Sequence, residues 1–127
     1  MPKIDRKLIS RKADIVEDLK KIIKDENILD HDDQIRPFET DGLSAYKQKP
    51  LVVVFPENTE EVSKVLSYCN KQHIKVVPRG SGTGLSGGAL PLEDSLLLCL
   101  GKFNKIINID YKNRCVVAQP GVTNLSI

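Results

Sequence analysis

Val76-Val-Pro-Arg-Gly-Ser-Gly-Thr-Gly-Leu-Ser-Gly-Gly-Ala-Leu-Pro91 is the stretch on which the reading of this chain turns. It contains Gly80, Gly82, Gly84, Gly87 and Gly88, out of 8 glycines in all. Glycine backbone reaches left-handed and extended conformations closed to other residues and lets a second molecule come close. Successive N–H groups can then converge into an anion-binding nest. Ser81, Thr83 and Ser86 add hydroxyl donors, and Arg79 adds a fixed positive charge. A guest with many anionic oxygens, such as a pyrophosphate, suits that set. A flexible Gly/Ser linker would be polar throughout. This loop is bracketed by Val76-Val77-Pro78 and Leu90-Pro91-Leu92 and has Leu85 inside it, which argues against a linker.

Two familiar phosphate motifs fail here. Gly82-Thr-Gly84-Leu-Ser-Gly87 satisfies G-x-G-x-x-G after a strand, but a dinucleotide-binding site of that type needs a helix starting at the loop. Gly87-Gly88 and then Pro91 leave no room for one. No Lys-Ser or Lys-Thr follows the last glycines, so the P-loop pattern is absent as well. The loop itself must bind, without a helix dipole.

Upstream, Leu51-Val-Val-Val-Phe55 reads as a buried strand stopped by Pro56. A helix follows, with Asn58 as its cap and Glu61 as the reciprocal partner. Val62, Val65, Leu66 and Cys69 form its predicted buried face, and His73 lies near its end. Ile74–Pro78 is the next strand, so the unit is βαβ with parallel strands. Further upstream, Ile15, Val16, Leu19, Ile22 and Ile23 make one stripe of a helix over Lys12–Lys24. Ile28–Pro50 has no period and reads as an ordered connection with turns. Downstream, Leu96–Leu100 is a strand, and Ile106–Ile109 with Cys115–Ala118 form a hairpin about Asp110–Asn113. Pro120-Gly121 breaks it. Thr123 or Asn124 can cap a new helix, and the chain stops at Ile127 within its first turn, so a truncated chain is expected.

The 127 residues amount to one domain, 40% hydrophobic and 28% charged, with 19 basic against 17 acidic residues and a net charge of +2. Both signs are interspersed and there is no Trp, which excludes an evident nucleic-acid surface. The longest apolar runs are too short to span a bilayer, and no apolar segment follows the first residues to suggest a signal peptide. A cytoplasmic location is the expectation. Cys69, Cys99 and Cys115 lack metal or redox spacing and read as reduced, buried, small apolar residues. No metal site is expected.

The stretch Val76–Pro91 closely resembles the FAD pyrophosphate loop of flavoenzymes of the vanillyl-alcohol oxidase/p-cresol methylhydroxylase type, nearest to the group of glycolate oxidase FAD subunits and D-lactate dehydrogenases. Arg36-Pro-Phe-Glu-Thr-Asp-Gly-Leu-Ser-Ala-Tyr46, Pro56-Glu-Asn-Thr-Glu-Glu-Val62 and Gln119-Pro-Gly-Val-Thr-Asn124 are similar to further family segments in the same order. The resemblance implies an α+β fold: the first, incomplete subdomain of the p-cresol methylhydroxylase-type FAD-binding fold, a βαβ unit plus hairpin. Residues 1–45 would be an N-terminal helix and lead-in, and 46–127 the first part of the FAD-binding domain. Carried over by position, FAD would contact Pro78, Arg79, Gly80, Ser81, Gly82, Thr83, Gly84, Leu85, Ser86, Gly87 and Gly88, with Pro120 and Gly121 as neighbours. Some relatives attach FAD through a His in this loop; Thr83 stands nearest that position, and His31 and His73 lie elsewhere, which implies non-covalent FAD.

The implied activity is oxidation of a 2-hydroxy acid by hydride transfer to FAD. The substrate would be held by a domain outside this chain, so no catalytic residue is assigned. Other glycolate oxidase subunits are implied partners, with peripheral attachment at the inner face of the membrane in the full complex. The competing readings are a stand-alone nucleotide- or phosphate-binding module and a non-functional remnant.

Overall fold

The computed structural model describes residues 3–127. Its elements are α1 (Arg6–Ser10), α2 (Lys12–Lys20), β1 (Ile28–Leu29), α3 (Asp32–Ile35), β2 (Val52–Val54), α4 (Thr59–Gln72), β3 (Lys75–Arg79), β4 (Ser95–Cys99), β5 (Ile106–Asp110) and β6 (Cys115–Ala118). β1 to β4 build a four-stranded sheet in the order β1-β2-β4-β3, and β5 and β6 form a separate hairpin. β2 and β3 both run parallel to β4, whereas β1 is antiparallel to β2. The βαβ unit is therefore present with a third strand, β4, inserted between its two strands. Main-chain bonding on both edges makes β4 the fully buried centre, from Ser95 to Cys99.

Side chains alternate across the sheet, as the period of two in a strand requires. Val52, Val54, Leu96 and Leu98 face one side, where Leu8, Ile15, Val16 and Leu19 of the N-terminal helices and Val65 and Cys69 of α4 cover them. Val53, Leu97 and Cys99 face the other side and meet Ile35, with Leu29, Phe38 and Phe55 packed against them. Each such buried aliphatic side chain contributes about 1.5–3 kcal/mol through removal from water. One face of the sheet is thus covered by the N-terminal helices together with α4, and the other by the segment between β1 and β2. Residues 28–48 act as a strap across the second face, carrying β1, α3 and a 3₁₀ turn at Arg36–Phe38.

Several local expectations need correction. The predicted helix over Lys12–Lys24 ends at Lys20, and α1 precedes it, capped by the Asp5 carboxylate, which accepts from the Lys7 and Leu8 N–H groups. Ile23 is still buried, because the turn after α2 folds it inward. Leu66, placed on the buried face of α4, is 43% exposed. The α4 cap is formed as expected at one end: Glu61 N–H donates to Asn58 Oδ1 at 2.9 Å. The returning Glu61 carboxylate accepts from the Glu57 N–H at 2.7 Å instead of the Asn58 N–H. α4 ends on His73 in the left-handed region, φ 55°, a conformation that costs any residue with a Cβ about 1–2 kcal/mol. Cys69 and Cys99 are buried, but Cys115 is exposed, because the hairpin carrying it lies off the main sheet.

The hairpin forms with the expected strands, and the helix foreseen near Thr123 is a single 3₁₀ turn at Asn124–Ser126. Ile107 is 66% exposed and Val117 51%, so one side of the hairpin presents apolar residues to solvent, while Val116 is half-buried.

Candidate flavin site

β2, β3 and β4 are parallel, so their carboxyl ends lie along one edge of the sheet. Ligands of open α/β sheets bind outside that edge. The glycine-rich loop leaves β3 there, and the turn Leu100–Phe103 leaves β4 beside it. As the motif analysis requires, no helix follows the loop: residues 80–94 are bends and turns until β4 begins.

The loop is rooted from below. Arg79 closes the β3–β4 ladder opposite Cys99, and its side chain turns under the loop. Its Nη1 donates to the Thr40 carbonyl at 2.6 Å, and the guanidinium sits 5.6 Å from the centre of the Phe38 ring. Phe38 in turn meets Phe55 edge-on at 5.8 Å. The sequence reading directs this charge at the anion; the structure commits it to a lead-in carbonyl and an aromatic face, both of which attract a cation. Gly82 lies directly above it at φ 73°, and a Cβ there would stand 2.5 Å from Arg79 Nε. Gly42 of the strap presses on the same loop, since a Cβ on it would meet the Thr83 and Gly84 carbonyls at 2.6 and 2.8 Å.

The upper side of the loop is open. A Cβ on Gly80, Gly84 or Gly88 would find nothing within 4 Å. None of the backbone N–H groups from Gly80 through Ala89 has a hydrogen-bond partner among the described residues; the next, Leu90 N–H, turns back to the Gly87 carbonyl at 3.2 Å. Folded chains pair nearly all their backbone donors with protein or water. A run of free donors beside open glycine surface is what a polyanionic oxygen cluster can fill. Ser81 and Thr83 hydroxyls, 3.3 Å apart, share that region, and Ser86 and Leu85 are exposed, Leu85 at 73%. Pro78 is an exposed residue of β3 opposite Leu98.

The second wall comes from the distant segment after the hairpin. A cleft of about 410 Å³ is lined by Gly80 and Ser81, by Gly101, and by Pro120, Gly121, Val122, Thr123 and Asn124. Pro120 and Gly121 are thereby brought to the loop. Gly101 was not legible as a site residue, because nothing near it in sequence has a phosphate-binding pattern. Thr40 and Phe38 were equally hidden: one acts through a backbone carbonyl and the other through a ring face. Burial pushes the Cys99 thiol at the root of the site up to about 11, against the opposing influence of Arg79. It is an inert thiol beneath the loop. No cluster of His, Cys, Asp or Glu able to hold a metal ion occurs among the described residues.

A loop of free N–H donors forms one wall of a cleft outside a mixed sheet, and Pro120–Asn124 form the second wall, an arrangement with room and donors for the phosphates of a nucleotide. The model of the FAD-binding domain family matches residues 50–127, and the chain belongs to that family. The glycolate oxidase subunit GlcD of Escherichia coli strain K12 is 50% identical over 100 residues, covering 79% of this chain and 20% of that protein. The D-lactate dehydrogenase of Archaeoglobus fulgidus is 38% identical over 109 residues, covering 85% of this chain and 24% of that one. A solved structure of p-cresol methylhydroxylase with substrate bound superposes with a TM-score of 0.79 at 26% identity, over 97% of this chain and 24% of that chain. The fold is that of the p-cresol methylhydroxylase-type FAD-binding domain, in part. The chain spans about a fifth of the length of the glycolate oxidase subunit it matches. The cofactor of this family is FAD, and the open, donor-rich loop fits its pyrophosphate.

Proposed function

We propose that the chain is the FAD-binding portion of an oxidoreductase that oxidises a 2-hydroxy acid of the glycolate or D-lactate kind. The observation that carries the binding half is the unpaired run of N–H groups from Gly80 through Ala89 beside Gly80, Gly84 and Gly88, whose Cβ positions are empty. The pyrophosphate would lie along that run, with Ser81, Thr83 and Ser86 as hydroxyl donors. Leu85 and Pro78 would flank it. Pro120 and Gly121 would close it from the second wall. Arg79, Gly82 and Gly87 would shape the loop, Arg79 by fastening its underside to Thr40. The substrate half rests on the glycolate oxidase and D-lactate dehydrogenase relatives.

In this reading residues 46–127 are the first part of the FAD-binding domain, and residues 1–45 its lead-in. The family match beginning at residue 50 supports that division. Bound FAD supplies the acceptor for the hydride leaving the carbon that bears the hydroxyl. This chain's residues hold the phosphates and exclude water from them; groups that grip the acid lie in the remainder of such an enzyme. Other subunits of a glycolate oxidase-type complex are the expected partners. No described helix is long and apolar enough to cross a membrane. A cytoplasmic location, with peripheral contact at the inner membrane face in a complex, fits this reading.

The loop holds no His or Cys between Arg79 and Pro91, so attachment of FAD through it is non-covalent. The test is flavin content of the whole encoded protein. Gly84→Val is expected to abolish FAD loading, and acid precipitation of the parent protein is expected to release its yellow colour to the supernatant. Normal flavin stoichiometry in Gly84→Val overturns the proposed cradle, and a phosphate ligand bound without any flavin would favour a simple binding module.

A further inference from the structure

Both walls of the cleft hang on a single turn. Leu100 N–H donates to the Arg79 carbonyl at 3.0 Å, which ties the turn to the root of the glycine loop. Phe103 N–H closes the turn on the Leu100 carbonyl at 3.0 Å. Gly121 N–H donates to the Phe103 carbonyl at 2.7 Å, which ties the turn to the second wall. The fit there is close: a Cβ on Gly121 would stand 2.7 Å from the Phe103 carbonyl oxygen and 2.9 Å from those of Gly101 and Leu100. The width of the cleft is therefore set by where Leu100–Phe103 sits.

One polar side chain fixes that turn to the rest of the sheet. Lys102 Nζ donates to Asn27 Oδ1 and to Glu57 Oε1, the latter at 3.1 Å. Asn27 is 1% exposed and is itself pinned. Its carbonyl accepts from the Phe55 N–H at 2.9 Å, and its Nδ2 donates to Glu57 Oε1 at 3.0 Å. Lys24 Nζ holds the other Glu57 oxygen at 2.8 Å. The ammonium thus ends in a network built on the segment between α2 and β1, which carries Lys24 and Asn27, and on Glu57 at the β2–α4 junction. Its position, at the carboxyl ends of β2 and β4, is the edge that carries the cleft.

We propose that Lys102 is a positioning residue for the flavin cleft: through Asn27 and Glu57 it sets the Leu100–Phe103 turn, and so the spacing between the glycine loop and Pro120–Asn124. The inference rests on the reading of that cleft as the FAD site. Lys102 acts through the turn and not by contact with the phosphates, because its charge is already engaged by Glu57. Charge-assisted hydrogen bonds of this kind, once broken, release the turn to move.

The test uses the whole encoded protein with three variants, Lys102→Met, Lys102→Arg and Glu57→Gln, and the double variant Lys102→Met/Glu57→Gln. FAD affinity is read by flavin fluorescence, and exchange of the Gly121 amide by hydrogen–deuterium exchange on flavin-free protein. Lys102→Met removes both bonds of the ammonium and is expected to weaken FAD binding at least about ten-fold. Lys102→Arg is expected to restore most of the loss. Glu57→Gln is expected to weaken binding in the same direction, and the double variant to be no weaker than Lys102→Met, since both act through one contact. Faster exchange at Gly121 in flavin-free Lys102→Met is expected. Unchanged Gly121 exchange overturns the proposal. So does a fully additive double variant, which would place Lys102 directly on the ligand. If Gly121 exchange rises but the parent protein takes up no FAD, the positioning holds and the flavin reading fails.

Discussion

Gly82→Ala separates two costs that the glycine loop combines. Gly82 has φ 73°, and a non-glycine residue there pays about 1–2 kcal/mol for left-handed backbone. Its Cβ would also overlap the Arg79 guanidinium, which is held by the Thr40 carbonyl at 2.6 Å. Displacing that group forfeits a charge-assisted hydrogen bond of about 1.5–3 kcal/mol. Together these disfavour the observed loop by roughly 2.5–5 kcal/mol, or about two to three and a half orders of magnitude in FAD affinity if binding needs that loop. Arg79→Ala forfeits the same Thr40 bond, so once Gly82→Ala has displaced the guanidinium the second substitution costs little more, and Gly82→Ala/Arg79→Ala is expected to bind FAD about as weakly as Gly82→Ala alone. Gly84→Ala provides the contrast, for its Cβ would meet nothing and its φ is not left-handed. It is expected to leave the flavin-free protein's melting temperature unchanged and to weaken only FAD binding. Flavin titration by fluorescence, paired with thermal melts without flavin, measures these proteins and Arg79→Ala alone. Binding by Gly82→Ala within about threefold of the parent, or a double variant in which the losses of the two single variants add in full, would refute the reasoning.

Cys115 is exposed while Cys69 and Cys99 are buried with thiols pushed up to about 11, so a thiol reagent at mild alkaline pH is expected to label Cys115 quickly and the others only on unfolding. Rapid labelling of more than one thiol in the native protein would contradict that assignment. Glu57 is held down to about 2 by Lys24 first, then Asn27 and Lys102, from an ordinary 4.5. Its contribution is therefore complete above pH 4.5 and is lost as pH falls towards 2. The melting temperatures of the parent and Glu57→Gln are expected to converge across that interval; a constant difference would exclude the linkage. Residues 1–127 produced alone are expected to bind a hydrophobic dye and self-associate through Ile107, Ile109 and Val117, and Ile107→Lys/Val117→Lys to reduce both. Light scattering unaffected by the pair of substitutions would rule out the hairpin as the cause.

Local chemistry made much of this protein legible from its residues in order. Five glycines with three hydroxyl residues announce a phosphate cradle, and Pro91 forbids the helix that a Rossmann loop would need. Asn58 and Glu61 mark the start of α4, and Asp110–Asn113 marks the hairpin turn, because caps and turns depend on side chains a few positions away. The family resemblance rested on that loop and on the order of three weaker segments. Strand order was not legible. Leu96–Leu100 reads as one more apolar run, and only pairing on both edges makes β4 the centre of the sheet between β2 and β3. Exposure of the hairpin was equally hidden: Cys115 and Ile107 alternate as core residues do, yet both stay exposed. Arg79 carries the same limit at the site itself. Its charge is plain in the loop, but its direction is set by Thr40 and Phe38, some forty positions away, which the fold alone brings beneath Gly82. Periodicity and turn chemistry act over a few residues, whereas strand order, exposure and the aim of a long side chain are settled by contacts between segments far apart in the chain.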